Sequence, residues 1–384
     1  MEHVRVGIIG LGNIGRHHLN YLSQGKAPNC RLTAVATSKP EKAKALTGVE
    51  IFTDVDALIQ SDQVDAVLIA TPHYQHTTLG IQALEAGKHI MVEKPISAHK
   101  ADAERLIQCH EKHPELVFGG MFQLRAEPRY TRMKKIIDSG ELGDIVRVNW
   151  IITDWYRTEA YYASGGWRAT WKGEGGGVLL NQCLHNLDVM QWLTGMPTKL
   201  RGYCQLGQYH DIEVEDNVTA YMEYENGATG VFITSSGEAP GTNRFEIAGT
   251  KGKLVLENDA LQFVKNEQCM LEFSRTSPIG FLPPDIWDAQ IPIANADAPH
   301  ATLMENFGEA ILSQTELIAP GRDGLHSVEL ANAMLYSSLI GEELQMPLSG
   351  ADFEAKLNQL IADSKHEKKV REVSTEDFEK SFKR

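Results

Sequence analysis

The chain has 384 residues, 42% of them hydrophobic and 23% charged, a composition typical of a globular protein large enough for two domains. Its formal net charge of -14 at pH 7 argues against a nucleic-acid-binding surface, because phosphate recognition needs clustered Lys and Arg. No basic segment followed by a long apolar run opens the chain, no stretch approaches the roughly 18 apolar residues of a membrane span, and the five cysteines show no CxxC spacing. These features predict a cytoplasmic protein that neither binds nucleic acid nor enters a membrane.

Short β-branched runs alternate with helical patterns over roughly the first 120 residues, which is typical of parallel βαβ units. We predict strands over 4–10, 31–37, 66–71 and 89–94, and helices over 14–24, 40–47 and 76–86. This pattern predicts an α/β fold that begins with a Rossmann domain, a doubly wound parallel sheet, over residues 1–122.

Longer strand candidates follow and predict a second domain over residues 123–384, an α+β unit with a large, mostly antiparallel open sheet. Glu225-Asn226-Gly227 joins two of these strands as a hairpin. We expect helices over 127–139, 178–194, 302–313 and 324–341, and a long surface loop over 277–300.

The first chemical motif is Gly10-Leu11-Gly12-Asn13-Ile14-Gly15, placed between the first strand and the first helix. Glycines in this position permit a tight turn and let the backbone approach a pyrophosphate at the helix N-terminus. An ordinary glycine turn is the alternative. The second strand, about 20 residues further on as in a dinucleotide-binding unit, favours cofactor binding.

The second strand ends in Thr37-Ser38-Lys39, where an acidic residue usually meets the ribose 2′-hydroxyl of NAD. The first carboxylate after the strand is Glu41. Two hydroxyls and an ammonium suit a 2′-phosphate better than a ribose diol, so we expect NADP or NAD as cofactor, with NADP slightly favoured. An ordinary polar turn is the alternative here.

Two further segments end at the carboxyl edge of the predicted parallel sheet, where open α/β sheets bind ligands. Thr71 and Pro72 follow the third strand, and Glu93-Lys94-Pro95 ends the fourth. A lone lysine is usually a solvated surface group. At this edge, however, Lys94 would lie beside a nicotinamide and could hold an alcohol or carbonyl oxygen.

The segment EGGGVLLNQCLHNLD, residues 174 to 188, spaces Asn181, His185 and Asp188 at i, i+4 and i+7, so a helix here would align them on one face. Only the histidine has an ordinary pKa, about 6.5, that suits proton transfer near neutral pH. Asp188 would lie about 10 Å further along the helix axis than Asn181. We therefore expect Asp188 to bond a loop or a neighbouring helix. The alternative for His185 is a satisfied core histidine, which would leave Lys94 alone to move the proton.

The ordered motifs GxGxxG, TPxxxH, AGKHxxxEKP and GGGxLxxxxxHxxD resemble those of the glucose-fructose oxidoreductase/inositol dehydrogenase/MocA (Gfo/Idh/MocA) family, and the resemblance covers nearly the whole chain. It implies a Rossmann domain followed by a domain with an open antiparallel sheet, through which subunits often pair as homo-oligomers. It also implies hydride transfer between NAD or NADP and one secondary hydroxyl or ketone of a sugar, sugar derivative or cyclitol. The resemblance makes Lys94 and His185 catalytic and places at the cofactor the 10–15 loop, Thr71, Pro72, His76 and Glu93.

The sequence departs from the family pattern at Asn181, where the family commonly has Asp, and we therefore expect Asn181 to bind a substrate hydroxyl. The segment 154–177, rich in Trp, Tyr and Arg, suits a polyol, because aromatic faces pack on C–H surfaces while Arg bonds hydroxyls. The substrate-binding candidates there are Tyr156, Arg157, Trp167, Arg168 and Trp171. Each tryptophan could instead fill the core or a subunit interface, and core packing is the favoured reading of Tyr336 on a late helix.

No HExxH or comparable ligand spacing appears, so no metal is expected. Two other functions stay open at this point. One is an NAD-dependent glycosidase that oxidises a sugar transiently. The other is a non-catalytic sugar or nucleotide sensor on the same fold.

Overall fold

A six-stranded parallel sheet forms the N-terminal part of the computed structural model, which describes residues 2–43, 46–294 and 298–371. Its strands are β1 (Val4–Ile9), β2 (Cys30–Ala36), β3 (Glu50–Phe52), β4 (Ala66–Ile69), β5 (His89–Val92) and β6 (Phe118–Gly120). Their order, β3-β2-β1-β4-β5-β6, is that of a Rossmann sheet. All strands are parallel, and the direction in which successive strands are added to the sheet reverses between β1 and β4. The predicted doubly wound parallel sheet is confirmed.

The helices between these strands are α1 (Asn13–Ser23), α2 (Val55–Gln60), α3 (Tyr74–Glu85) and α4 (Lys100–His110). α1 and α3 confirm the helices predicted over 14–24 and 76–86, whereas α2 and α4 were not predicted. The helix predicted over 40–47 is wrong in its described part, because only a short 3-10 helix forms over Pro40–Lys42. Residues 44 and 45 lie outside the described residues.

A nine-stranded sheet follows. Its strands are β7 (Ile145–Ile152), β8 (Lys199–Leu206), β9 (Glu215–Glu223), β10 (Thr229–Ser235), β11 (Asn243–Gly249), β12 (Gly252–Glu257), β13 (Ala260–Asn266), β14 (Ile286–Ile291) and β15 (Leu344–Gln345). Every neighbouring pair is antiparallel except β7 and β10, and the predicted hairpin at residues 225–227 joins β9 to β10. The mostly antiparallel sheet is confirmed.

The helices of this part are α5 (Pro128–Asp138), α6 (Glu159–Ala163), α7 (Leu184–Thr194), α8 (Met270–Thr276), α9 (Pro299–Ser313), α10 (Gly324–Ile340) and α11 (Gly350–Asp363). Two further 3-10 helices span Gln123–Ala126 and Gly321–Asp323. The surface loop predicted over 277–300 instead contains β14, an exposed edge strand held by its ladder with β13. Residues 295–297 of that loop lie outside the described residues.

One face of the large sheet is covered by α10, which packs against β8 and α7. Gly202 of β8 permits this approach, because a side chain there would collide with the main chain of Met334. Inside the sheet, Trp150 stacks on Phe245 with ring centroids 3.9 Å apart. α9 packs on α1 and β1 of the first sheet. Among the residues that the structure describes, no helix combines the length and apolar character needed to cross a bilayer.

Candidate active site

The glycine loop after β1 has the geometry of a phosphate-binding turn. Gly10 has a φ of 98°, a conformation that favours glycine, and a side chain on Gly15 would collide with the Gly10 carbonyl. A Cβ on Gly12, in contrast, would meet open space, and no side chain caps the N-terminus of α1. The loop therefore leaves room and unpaired backbone donors for a pyrophosphate beside Gly12, Asn13 and Ile14.

The ends of β4 and β5 form the neighbouring edge. The two ring nitrogens of buried His76 lie 2.7 Å from the Thr71 carbonyl oxygen and 2.6 Å from that of Pro95. His76 thus ties the segment after β4 to the segment after β5. The Thr71 hydroxyl oxygen is buried and has no hydrogen-bond partner among the described residues, which fits a polar cofactor group at this edge.

Lys94 lies at the same edge with its ammonium group turned toward the second half of the chain. Its Nζ donates to the main-chain oxygen of Asn181 at 2.8 Å. Burial lowers the pKa of this ammonium, an effect that the carboxylates of Glu93 and Glu174 oppose. Glu93 also accepts from the Lys94 backbone N–H at 3.1 Å and lies 2.6 Å from His18 Nε2.

His185 lies in the first turn of α7 and is buried. Burial lowers the pKa of its imidazole well below 6.5, and the positive charge of Lys94 lowers it further, so the two groups interact. His185 Nε2 lies 3.2 Å from the Gln123 amide nitrogen. Its Nδ1 is buried and has no partner among the described residues. The Lys94 ammonium thus contacts the turn before α7, and its charge acts on the buried His185 imidazole of that helix.

The predicted helical face of Asn181, His185 and Asp188 is wrong, because α7 begins only at Leu184. Glu215 of β9 holds the preceding turn: its side chain accepts from Gly177 N and Leu179 N at 2.8 and 3.1 Å. The Asn181 carbonyl, which would accept from residue 185 in a continuous helix, accepts from Lys94 instead. Burial raises the pKa of Glu215 to about 7.

Asn181 still belongs to the site, because it contacts both Lys94 and Glu174. Its side-chain amide donates to Oε1 of Glu174, and Oε2 of that carboxylate accepts from Ala169 N at 2.5 Å. Glu174 is 1% exposed. Its main-chain oxygen lies 3.1 Å from Nδ1 of buried His73. Asn181 thus bridges Lys94 through its main chain and Glu174 through its side chain.

Asp188 has the supporting position that its spacing suggests. It accepts from Arg125 Nε and Nη2 at 2.8 and 2.7 Å, and both side chains are buried. Arg125 lies in the 3-10 helix Gln123–Ala126, whose Gln123 contacts His185. The ion pair therefore fixes the element that packs against the imidazole.

Aromatic rings and guanidinium groups lie together in the loop before the glycines. The Tyr161 ring has Arg157 and Arg168 over it, with guanidinium carbons 5.1 and 4.5 Å from its centroid. Arg168 also lies 4.7 Å from the Trp167 ring centroid, and its Nε is buried without a partner among the described residues. Arg168 is close enough to Lys94 to lower its pKa.

The other aromatic candidates are less closely linked to this cluster. Tyr156 is half exposed, whereas Trp171 is buried and belongs to the core. Tyr336 packs edge-on against Phe353 with ring centroids 6.2 Å apart, as core packing predicts.

Two family models match most of the chain. One, described as an oxidoreductase family with an NAD-binding Rossmann fold, matches residues 4–121. The other, described as the GFO/IDH/MocA C-terminal domain, matches residues 130–255. The chain belongs to the Gfo/Idh/MocA family. It is thus a member of an oxidoreductase family with an NAD-binding Rossmann fold.

Relatives of this family member are similar over most of its length. Inositol 2-dehydrogenase of Rhizobium meliloti is 27% identical over 358 residues, which cover 90% of this chain and 99% of the relative. The scyllo-inositol 2-dehydrogenase (NAD(+)) of Bacillus subtilis is 28% identical over 273 residues, 67% of this chain and 75% of the relative. A solved structure of the WlbA dehydrogenase from Chromobacterium violaceum in complex with NADH and UDP-GlcNAcA is 25% identical, with a TM-score of 0.78. That match covers 91% of this chain and 97% of the solved chain.

Sequence reasoning missed four residues of this Gfo/Idh/MocA site. Glu174 and His73 have the contacts described above, and Gln123 contacts His185. His18 follows the glycine loop, where a solvated position is the default expectation, yet it is fully buried against Glu93. His18 lies one helical turn after Gly15 in α1, and this position could have indicated that its side chain faces the sheet. Nothing local marks Gln123.

Proposed function

We propose that the chain transfers a hydride between a nicotinamide cofactor and a secondary hydroxyl or ketone of a sugar, sugar derivative or cyclitol. The observation that supports this most directly is that Lys94, at the carboxyl edge of the parallel sheet, donates to the turn just before α7 and that its charge acts on the buried His185 of that helix. Inositol dehydrogenases among its relatives point to the same substrate class. The arginines and aromatic rings around Tyr161 suit a polyhydroxylated ring.

In this proposal, His185 and Lys94 have different catalytic roles. His185, held neutral by burial and by Lys94, accepts the hydroxyl proton during oxidation and returns it during reduction. Lys94 binds the reacting oxygen through its ammonium group. Arg157, Arg168, Trp167, Tyr156 and Asn181 bind the remaining hydroxyls. When bound, the nicotinamide ring supplies the acceptor or donor of the hydride.

The cofactor lies, in this proposal, across the glycine loop and the edge formed by β4 and β5. Gly10, Gly12, Asn13, Ile14 and Gly15 receive the pyrophosphate. The residues that line the nicotinamide end are Thr71, Pro72, His76, Glu93 and Lys94. The Thr71 hydroxyl, which has no hydrogen-bond partner in the part of the chain that the structure describes, supports this placement.

A substrate screen tests the proposed activity. Cyclitols, aldoses, keto-sugars and glycosides are each offered with NAD(H) and NADP(H), and the absorbance of the reduced nicotinamide is followed. We expect turnover with at least one polyol or its ketone. Release of an alcohol from a glycoside without net cofactor reduction would identify a glycosidase. Tight sugar binding without turnover would identify a sensor.

We further propose that NADP(H) is used at least as well as NAD(H), although the Bacillus relative is named for NAD(+) and the Chromobacterium structure contains NADH. The turn after β2 is ordered by a hydrogen bond from Lys39 N to the Thr37 hydroxyl at 3.1 Å. Ser38 and Lys39 are exposed there, so both can contact a 2′-phosphate.

The substitution Lys39→Asp should lower kcat/KM for NADP and leave kcat/KM for NAD nearly unchanged. Its physical reason is the exchange of an attractive ammonium for a carboxylate that repels the 2′-phosphate. Steady-state kinetics with both cofactors measure the effect, with the exposed Lys26→Asp as the control. A strong preference of the wild type for NAD would contradict the proposal.

Self-association through the large sheet is also proposed, with two copies of the chain as the smallest assembly. α10 packs on one face of the sheet at β8, whereas Tyr203 of β8 and Tyr221 of the neighbouring β9 are 58% and 40% exposed on the other face. Exposed aromatic groups on a sheet face suit a subunit interface. Sedimentation velocity at micromolar concentration should therefore show a dimer or tetramer, and a monomer would refute this interface.

A further inference from the structure

A buried carboxylate lies directly beside the proposed catalytic pair. Glu174 precedes the three glycines and is 1% exposed. Burial raises the pKa of its carboxyl group, whereas hydrogen bonds from Ala169 N and the Asn181 amide and the positive charges of Arg168 and Lys94 oppose this and favour the charged form. A carboxylate in such a place costs free energy unless it is paired, so it needs a physical account.

Asn181 connects this carboxylate to Lys94. Its side-chain amide donates to Glu174, and its main-chain oxygen accepts from Lys94 Nζ at 2.8 Å. The two charged groups therefore lie on either side of one residue.

We propose that Glu174 is a positioning residue whose negative charge, held on the other side of Asn181, keeps Lys94 in its ammonium form beside the reacting oxygen. This role rests on the proposed function, since it assumes that Lys94 binds that oxygen. The charge relationship between Glu174 and Lys94 is independent of any substrate. The competing hypothesis is that this carboxylate only stabilises the glycine turn through its hydrogen bonds.

The charges around Lys94 fix the direction of the expected effect. Burial lowers its pKa, Glu93 and Glu174 raise it, and Arg168 and Arg157 lower it. Burial also lowers the pKa of four surrounding histidines, and the Lys94 charge lowers each further; these are His73, His76, His185 and His300. These histidines do not replace the charge of Glu174 when it is removed, because an imidazole is either neutral or positively charged.

Glu93 is the other carboxylate that faces Lys94, but it is shared. One of its oxygens lies 2.6 Å from His18 Nε2, and the other accepts from the Lys94 backbone N–H. Without Glu174, Arg157 and Arg168 would still lower the Lys94 pKa, and only the carboxylate of Glu93 would oppose them. Lys94 should then lose its proton at a lower pH.

The substitution Glu174→Gln tests this in the full chain with NADH bound. Lysines carry ¹³C at Cε, the Lys94 signal is assigned from its loss in Lys94→Arg, and its pKa is read from an NMR titration. An opposite charge close to an ionisable group shifts its pKa by about 1 unit or more. We therefore expect the Lys94 pKa to fall by about 1 unit, and the alkaline limb of kcat/KM to move equally to lower pH.

Two further variants separate charge from structure. Glu213→Gln makes the same change at a carboxylate that accepts from Trp171 N, and it should leave the Lys94 titration unchanged. In the double variant Glu174→Gln with Asn181→Asp, the carboxylate returns at position 181, and the Lys94 pKa should recover toward the wild-type value. Asn181→Asp alone places two carboxylates together and should be less stable than the double variant.

The outcomes distinguish this role from the proposed function. An unchanged Lys94 pKa in Glu174→Gln would show that Glu174 only stabilises the glycine turn. If Glu174→Gln does not fold, the Lys94 pKa is measured in the double variant instead. A value that differs from the wild type there would also show that Glu174 has only a structural role in the turn. A silent substrate screen together with a shifted Lys94 pKa would refute the dehydrogenase while keeping the charge relationship.

Discussion

Replacing His185 by Ala should lower kcat by about 10² to 10⁴-fold, the usual contribution of general acid-base catalysis. Burial and the Lys94 charge place the pKa of His185 well below 6.5, so the wild-type base stays neutral in neutral and mildly acidic solution. In the wild type, the acidic limb of the oxidation rate should therefore lie below pH 6.5. The variant should lose that limb, which a profile of kcat against pH measures.

Two comparisons sharpen this test. Asn181→Ala should mainly raise KM, because the amide moves no proton at neutral pH. His110→Ala removes an imidazole that lies 2.8 Å from the Leu116 carbonyl oxygen, away from the site, and should leave the profile intact. Near wild-type turnover and an unchanged profile in His185→Ala would leave Lys94 as the sole acid-base group.

Replacing Asp188 by Asn should reduce the free energy of unfolding by about 3 kcal/mol, at the lower end of the range for breaking a buried ion pair. The substitution leaves the Arg125 guanidinium, 2% exposed, without its two-point partner. Asp323 still pairs with Arg125 at 2.8 Å, which limits the loss. Urea denaturation followed by circular dichroism measures the change.

Matched variants show whether burial is the cause. Asp138→Asn breaks an exposed pair with Lys134 within α5 and should change stability by less than about 0.5 kcal/mol. The double variant Arg125→Met with Asp188→Leu removes both charges and should be more stable than Asp188→Asn. If Asp188→Asn were as stable as Asp138→Asn, the buried pair would have no structural importance.

The sequence by itself determined the local features of this protein. Alternation of β-branched runs with helical periods identified four of the six strands of the first sheet, because both periods arise from backbone geometry within a few residues. The other two, β3 and β6, have three residues each and are too short to show a period. The glycine loop was equally readable, since its turn needs glycine at Gly10 and Gly15 whatever surrounds it. The spacing of Asp188 also indicated a supporting position for its carboxylate, although its partner Arg125 lies 63 residues earlier.

Only the tertiary structure decided which groups meet. The predicted helix over 178–194 starts late because Glu215 and Lys94, both distant in sequence, bind the backbone of the turn before it. Glu174 was missed and Asn181 was predicted to bind a substrate hydroxyl. That Asn181 joins Glu174 to Lys94 depends on how the segment before α7 packs on the edge of the first sheet. Such contacts join residues across long sequence separations, and no local period encodes them.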